Sequence, residues 1–302
     1  MKRRNFCLYS ALFIISGCTT ATTQSSNPSQ SASPLSAYIK PEKIRFAVSD
    51  VKGIEGLEKD YEPLRLLLEK ILETKVEFFP VDSYIAAVSA LQQDQVDLVF
   101  TGPSEYVVMR ARTNAVPIAA IERQNYYSIL ATRSDSGIKS VQDLKGKTIA
   151  MWEVGSTSGY LGPTKLLIDA GLDPKVDVTI KLLGKKGLDA LKNGDVDAWG
   201  GGFVRHEKFL KDKNLTEADL PIVAKGVSLP SDPFVLNSKL DAALVANIQQ
   251  RIFQNQAEIL AAIAPADGAK FTGGKMIKIQ DTDFDMIRQV YKVMGQGAFL
   301  EG

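Results

Sequence analysis

A short pattern of small, apolar and acidic residues occurs twice in the chain, each time as a helix, a turn and a buried strand followed by glycine. The first copy has Ala90, Leu91, Val96, Asp97 and Gly102, and the second has Ala190, Leu191, Val196, Asp197 and Gly202. Strand and helix patterns alternate around both copies, which is typical of parallel sheets with crossover helices. The repeat predicts two α/β halves of similar topology, although common residues can also match by chance. Ligands of such sheets bind beyond the carboxyl ends of the strands, so two facing halves would form a cleft.

Hydrophobic periodicity places the individual elements. In the first series, strands are predicted at 43–49, 75–80, 96–100, 116–122 and 126–132, and helices at 61–72, 83–92 and 103–111. In the second series, strands are predicted at 148–152, 176–183, 196–199, 222–224 and 234–236, and helices at 158–170, 188–193, 240–263 and 283–294.

The amino terminus has the pattern of a secretory signal. Three cations, Lys2, Arg3 and Arg4, precede a short apolar run, and Ser16-Gly17 precede Cys18. We predict a signal peptide over 1–17. The small-small-Cys ending resembles a bacterial lipobox, in which cleavage leaves Cys18 as a lipidated amino terminus, and the alternative is a plain signal with an incidental cysteine. The Ser-, Thr- and Pro-rich residues that complete 18–38 predict a flexible tether.

Charge and cysteine content exclude several classes of function. Removal of the signal takes the formal net charge from +1 to −2, which disfavours nucleic acid as a partner. Cys7 leaves with the signal and lipid would occupy Cys18, so the mature chain has no disulfide. No cluster of Cys, His and carboxylates has metal-ligand spacing, so we expect neither a metal nor a cofactor.

Three hydroxyl residues, Ser156, Thr157 and Ser158, stand between two glycines just before a helical pattern. The start of a helix offers unpaired N–H groups and the positive end of its dipole, and three hydroxyls would complete a site for a tetrahedral oxyanion. A simple helix cap is the alternative, although Gly155 and Gly159 would let a ligand approach the backbone.

Enzyme motifs are not found at this loop. It lacks the lysine of a phosphate-binding P-loop, and Thr157 stands where a hydrolase elbow would have its serine. The single histidine, His206, beside Arg205, is interpreted as a surface residue rather than as part of a triad. We therefore expect a binding protein and not an enzyme.

The segment 152–163, WEVGSTSGYLGP, resembles the oxyanion loop of the PhnD-like substrate-binding proteins of phosphate, phosphite and phosphonate ABC transporters. Segments 60–78, 96–106, 143–150 and 281–294 resemble further parts of that superfamily. The resemblance implies a type II periplasmic-binding-protein fold, with two lobes around a ligand cleft that closes by a hinge. It places lobe 1 at 43–130 plus 233–302 and lobe 2 at 131–232.

The resemblance also implies the roles of individual residues. Ser156, Thr157 and Ser158 match the oxyanion-binding hydroxyls, Tyr84 and Tyr126 match two ligand-contacting tyrosines, and Asp232 matches an aspartate that faces the pocket. The register at Tyr126 is open by one residue because Tyr127 follows it. Taken alone, each tyrosine is typical of core packing and Asp232 of a turn before proline.

Two departures from the family pattern bear on the ligand. Gly184-Lys185-Lys186 replaces a Gly-His-Glu, and a lysine there would either pair with the anion or point to solvent. No carboxylate stands near Val204, where members that bind aminoalkyl phosphonates have an acidic residue. Asp232 would accept a hydrogen bond from a P–OH group and so select a protonated oxyanion.

The sequence therefore predicts a monomeric, lipid-anchored, periplasmic or cell-surface protein that captures phosphite or methylphosphonate, with phosphate as a further candidate. Its partners would be this small oxyanion, an inner-membrane ABC permease and, through the lipid on Cys18, the membrane itself. The alternatives are the ligand-sensing ectodomain of a signalling system and a binding protein for a different small oxyanion.

Overall fold

The computed structural model describes residues 39–51, 53–83, 86–266 and 270–300. The predicted signal peptide, Cys18, the tether and Tyr84 lie outside the described residues. No helix in the described ranges is both long enough and apolar enough to cross a membrane.

The strands form two sheets. The first contains β1 (Lys43–Val48), β2 (Lys75–Phe78), β3 (Leu98–Phe100), β4 (Val116–Glu122), β10 (Asp232–Leu236) and β11 (Lys275–Ile277), in the order β11-β4-β10-β3-β1-β2. The second contains β5 (Tyr127–Thr132), β6 (Thr148–Met151), β7 (Thr179–Leu182), β8 (Ala198–Gly202) and β9 (Ile222–Ser228), in the order β7-β6-β8-β5-β9. β1 is parallel to β2 and β3, and β6 is parallel to β7 and β8, whereas β10 and β5 run antiparallel to their neighbours.

Helices cover both sheets. They are α1 (Gly53–Leu72), α2 (Ala86–Gln92), α3 (Pro103–Thr113), α4 (Gly162–Asp169), α5 (Gly187–Asn193), α6 (Phe203–Asp212), α7 (Ala242–Gln254), α8 (Gln256–Ile263) and α9 (Asp285–Val293). Alternate residues of β3 divide the first core: Leu98 and Phe100 pack with α1, α7 and α8, whereas Val99 packs with α2, α3 and α9. Strand alternation thus builds two apolar layers, one on each face of the sheet.

The predicted α/β fold with two sheet-centred halves is confirmed. We call the first sheet with its helices the sheet-one half, and the second sheet with its helices the sheet-two half. The chain passes from the first sheet to the second between Glu122 and Tyr127 and returns between Ser228 and Asp232. The predicted lobe boundaries lie within a few residues of these crossings, and the assignment of lobes stays a prediction.

Several predicted elements have different bounds in the structure. α1 starts at Gly53 instead of residue 61, because its buried stripe extends back to Leu57 across Pro63. The helix predicted over 240–263 is two helices that meet at Asn255. The strand β11 was not predicted, since three residues carry too short a pattern to identify.

Candidate functional site

The hydroxyl loop, residues 155–159, connects β6 to α4. From Thr157 onward the loop forms the first turn of the following helix, a π-helical turn over Thr157–Leu161. In this turn the carbonyl of Ser156 accepts the N–H of Leu161 at 2.9 Å. The Oγ of Ser156 accepts the N–H of Gly159 at 3.3 Å. Ser156 is therefore the N-cap of this helix, and its hydroxyl satisfies one of the N–H groups that a helix start leaves unpaired.

Thr157 joins the loop to the sheet-one half. Its Oγ1 accepts the N–H of Ser104 at 3.1 Å and lies 2.8 Å from the Oγ of Ser104. That Oγ in turn lies 2.5 Å from the carbonyl oxygen of Gly155 and 2.8 Å from Oε2 of Glu105. Ser104 follows Pro103 at the start of α3, so the starts of two helices from different halves face each other. Both helix starts favour negative charge.

Ser158 points toward the second sheet. Its carbonyl accepts the Oγ hydrogen of Ser128 at 3.0 Å, and its own Oγ lies beside Gly202, where an added Cβ would approach it to 3.1 Å. The three predicted hydroxyls therefore serve three neighbours: the helix cap, the contact between halves, and β8. Their convergence on one anion stays a prediction.

Two ion pairs, one buried and one partly buried, lie near each other. Arg123 Nε lies 2.6 Å from Oδ2 of Asp232, and Lys270 Nζ lies 2.6 Å from Oδ2 of Asp50. Asp232 is only 2% exposed, and its carboxylate is paired with the cation of Arg123. The sequence had suggested a carboxylate that faces an anion. Burial by itself would raise the pKa of Asp50, but the charge and hydrogen bond of Lys270, together with the charge of Arg123, outweigh it and hold that pKa below its usual value.

The environments of the two neighbouring tyrosines differ. The guanidinium carbon of Arg123 lies 3.2 Å from the ring centroid of Tyr126. Burial raises the pKa of Tyr126 to about 12, while the charge of Arg123 acts against this increase and that of Asp232 adds to it. Tyr127 instead stacks on Phe203 within the sheet-two core. Tyr126 is thus the tyrosine that belongs to the buried charge cluster, and its contact with a ligand stays a prediction.

Other sequence interpretations have clear outcomes. His206, interpreted as a surface residue, is buried: its Nε2 lies 3.0 Å from the carbonyl oxygen of Leu220 and its ring stacks on Trp199, so that interpretation is wrong. Lys185 and Lys186 are exposed after β7. Val204 is 48% exposed at the start of α6.

Sequence reasoning missed several buried or partly buried polar residues of this region. They are Asp50, Ser104, Glu105, Arg123 and Lys270. Asp50, Ser104 and Glu105 follow the carboxyl ends of β1 and β3, so the strand-end rule could have identified them. Arg123 and Lys270 have no comparable local sequence signal. Arg123 lies in the segment that crosses between the sheets and Lys270 in the chain beyond α8, so only the fold brings them to this region.

Two cavities are found among the described residues, and one of them includes Arg123. One of about 350 Å³ is lined by Arg123, Tyr126 and neighbours of the crossing segments. The other, of about 170 Å³, lies between α4, β9 and α9 and includes Ser128, Leu161 and Gly162. Among the described residues, no group of three or more His, Cys, Asp or Glu could hold a metal ion.

The chain as a whole is similar to known proteins. The sequence model of periplasmic substrate-binding proteins of phosphonate ABC transporters matches residues 47–274. The phosphate-import protein PhnD of Mycolicibacterium smegmatis is 27% identical over 279 residues, covering 84% of this chain and 87% of the relative. The tetrathionate sensor histidine kinase TtrS of Salmonella typhimurium is 29% identical over 150 residues, covering 47% of this chain and 25% of the kinase.

A solved structure has the same fold. PhnD1 of Prochlorococcus marinus in complex with methylphosphonate superposes with a TM-score of 0.67 and 20% identity, covering 84% of this chain and 99% of the other.

Proposed function

This chain belongs to the family of periplasmic substrate-binding proteins of phosphonate ABC transporters, and we propose that it captures phosphite or methylphosphonate in preference to phosphate. Members of the family are periplasmic, bind a small ligand of this class and work with a permease. Under the proposal, this protein closes on its oxyanion and delivers it to an ABC permease in the inner membrane.

The observation that supports the proposal is the contact of Thr157 with Ser104. It brings together two helix starts from different halves, where the N–H and hydroxyl of Ser104 lie against the hydroxyl of Thr157. An oxyanion held there by neutral donors would bridge the two halves and stabilise their closed arrangement. Ser156, Thr157 and Ser158 are the proposed oxyanion ligands.

The buried charges fit an anion of low charge. Arg123 and Asp232 cancel each other, as do Lys270 and Asp50, so an entering oxyanion meets no unpaired carboxylate from these pairs. We propose that Asp232 accepts a hydrogen bond from a P–OH group while Arg123 offsets its charge. Tyr126, beside Arg123, and Tyr84 are the proposed contacts from the tyrosines.

The choice among the three ligands depends on the fourth substituent of phosphorus. A buried P–OH group without a partner costs about 1–3 kcal/mol, whereas P–H and P–CH3 need no partner. That cost corresponds to roughly a ten- to hundredfold preference. The relatives include one named for phosphate and one solved with methylphosphonate, so both ligands belong in the test.

Isothermal titration of the mature chain tests the proposal. With Cys18→Ser to prevent lipidation, the protein is titrated with phosphite, methylphosphonate, phosphate and 2-aminoethylphosphonate. We expect submicromolar binding of phosphite or methylphosphonate and weak binding of 2-aminoethylphosphonate. Phosphate as the tightest ligand would refute the ligand preference, and no binding of any of them would refute the oxyanion site.

Lipid anchoring and hinge closure are parts of the same proposal. The signal pattern over 1–17 and the position of Cys18 support membrane attachment through lipid, and Cys18→Ser should release the protein from the membrane fraction. The two crossings of the chain, at 123–126 and 229–231, support a hinge between the halves. Small-angle scattering should then show a smaller radius of gyration with ligand, and an unchanged radius would contradict closure.

A sensor is the second candidate. The similarity to the histidine kinase TtrS over 47% of this chain favours this candidate. The matched part is only a quarter of the kinase, so a segment of this kind also occurs within a signalling protein. In this case the partner would be a separate signalling chain. Pull-down from detergent-solubilised membranes distinguishes the two, since a permease supports transport and a histidine kinase supports sensing.

A further inference from the structure

Glu105 is a buried carboxyl group at the contact between the halves. Its residue is 8% exposed, and its side chain folds back over the start of α3. A Cβ added to Gly102 would lie 2.5 Å from Oε2 of Glu105, so the glycine makes room for this carboxyl. The same Oε2 lies 2.8 Å from the Oγ of Ser104.

The number of hydrogens around Ser104 indicates which form of Glu105 fits. Its Oγ has three close neighbours: Oγ1 of Thr157, the carbonyl oxygen of Gly155 and Oε2 of Glu105. Thr157 Oγ1 already accepts the backbone N–H of Ser104, so its own hydrogen goes either to Ser104 Oγ or to a bound oxyanion, and in neither case to Glu105. The hydrogen of Ser104 then goes to the carbonyl of Gly155, which can only accept.

The third contact needs a hydrogen of its own. With both hydroxyl hydrogens used, only a proton on Glu105 completes the contact between its Oε2 and Ser104 Oγ. A carboxylic acid donates one hydrogen and a carboxylate donates none, so the arrangement is fully satisfied only when Glu105 is protonated.

The charges around Glu105 come from every element packed near it. They are Asp50 after β1, Lys270 beyond α8, Tyr291 on α9, and Arg123, Tyr126 and Asp232 at the crossings. The four charged groups form two ion pairs, so their charges largely cancel at Glu105. Hydrogen bonds to the ionised form, from the backbone N–H of Glu105 and from Ser104, lower the pKa of Glu105, but burial is the larger effect and raises it to about 7.

We propose that Glu105 is a positioning residue of the anion site that works as a carboxylic acid, taking up one proton when the halves close on an oxyanion. The inference rests on the proposed function. The proton comes from solvent and stays on Glu105 Oε2, where it completes the hydrogen bonds of Ser104 and removes a negative charge that would repel the ligand.

The sign of the pH dependence follows from the two pKa values. In an open, solvated arrangement a glutamate has a pKa of about 4.3, and closure raises it. Between pH 5 and 7 the open protein is ionised at Glu105 and the closed protein is largely protonated. Affinity should therefore fall with rising pH in this window, by up to about tenfold per pH unit.

Titration calorimetry of the mature, Cys18→Ser chain with methylphosphonate tests the inference. Measurements at pH 6 in two buffers of different ionisation enthalpy give the number of protons taken up. The wild type is compared with Glu105→Gln, whose amide can still donate to Ser104, and with Glu258→Gln on the exposed face of α8 as the matched control. Protons that belong to the ligand cancel in this comparison.

We expect Glu105→Gln to take up close to one proton fewer than the other two, and to lose the extra pH dependence between pH 5 and 7. Equal proton uptake in all three proteins overturns the inference and leaves the proposed function intact. Absence of binding by the wild type overturns both. If Glu105→Gln does not fold, carbon-13 NMR of the Glu105 carboxyl in the liganded wild type decides: a pKa near or above 7 supports the inference, and an ordinary value overturns it.

Discussion

Asp97 and Asp197 occupy the same place in the two halves. The backbone N–H of Arg45 in β1 donates to Oδ2 of Asp97 at 2.7 Å, and the N–H of Thr148 in β6 donates to Oδ2 of Asp197 at 2.8 Å. Each aspartate also donates its own N–H to the carbonyl of the same strand residue, at 2.9 Å in both halves. The sequence repeat thus corresponds to one hydrogen-bonding arrangement that occurs twice and holds β1 beside β3 and β6 beside β8.

The two copies differ in the residues that come after the strand. After β3 the chain continues into Thr101, Ser104 and Glu105, all buried and polar. The second copy ends in the glycines of β8, which lie against the helix that carries the hydroxyl loop. A Cβ on Gly200 would lie only 2.6 Å from Pro163 on that helix.

The two similar halves therefore contribute to the proposed site in different ways. In the sheet-one half the strand end itself supplies polar groups. In the sheet-two half the strand ends in glycines, which allow the loop from the adjacent strand to pack closely and to supply hydroxyls.

The largest expected effect tests the loop side of this comparison. Ser156→Ala combined with Thr157→Ala should weaken methylphosphonate binding at least about a hundredfold, because each lost hydrogen bond to a charged group contributes about 1.5–3 kcal/mol. Loss of the Ser156 cap should lower the free energy of unfolding by about 0.5–2 kcal/mol. Loss of the Thr157 hydroxyl should add about 1–3 kcal/mol, because it leaves the buried N–H of Ser104 unpaired. Calorimetry and thermal melting measure the two effects.

Ser238→Ala is the matched control for the double variant, since its exposed hydroxyl donates only to the backbone of Thr113. Affinity retained by the double variant, with a normal melt, would contradict the assignment of the loop as the anion site.

An intermediate effect is expected for the two aspartates. Asp97 also forms an ion pair with the guanidinium of Arg45 at 2.6 Å. Breaking a buried pair costs about 3–5 kcal/mol, and the partial exposure of Arg45 reduces this, so Asp97→Ala should cost about 2–3 kcal/mol. Asp197→Ala, which loses a backbone contact, should cost about 1 kcal/mol.

Urea denaturation compares the two variants on one scale. Equal costs would show that the Arg45 pair adds nothing, and that the two copies are alike in energy as well as in backbone geometry.

The smallest expected effect concerns how the free energy of unfolding depends on pH. Burial lowers the pKa of His206 in the sheet-two half. Below a pH of about 6.5 the unfolded chain binds a proton that buried His206 resists, so the free energy of unfolding should fall as the pH falls. In the closed, liganded protein Glu105 acts in the opposite direction: its raised pKa favours the folded state in acid, and this contribution is lost as the pH rises to about 7.

His206→Gln tests this contrast. Its melting temperature should fall less than that of the wild type between pH 7 and pH 5, because the variant no longer has an imidazole to protonate. An identical acid dependence in the two proteins would show that His206 is protonated as easily in the fold as outside it.

The strand-helix rhythm predicted much of the fold, and the repeat predicted its division into two sheets. Local pattern was insufficient where an element depends on distant contacts. The short strand β11 exists because Met276 pairs with Ile121 of β4, and the break at Asn255 separates two helices with one continuous apolar pattern. His206 shows the same limit, since its burial depends on Trp199 and Leu220 and not on its own neighbours in sequence.

The sequence by itself determined the α/β class, the two-fold repeat, the secretory signal pattern and the hydroxyl loop, because each depends on residues close together in the chain. Only the tertiary structure decided which charges meet. Arg123 with Asp232, and Lys270 with Asp50, are pairs across more than a hundred residues. The protonation state of Glu105 likewise depends on how deeply its carboxyl is buried and on how many hydrogens surround Ser104. Both follow from the contact between Ser104 and Thr157. Side-chain electrostatics depends on distances in space, and only the packed chain sets those distances.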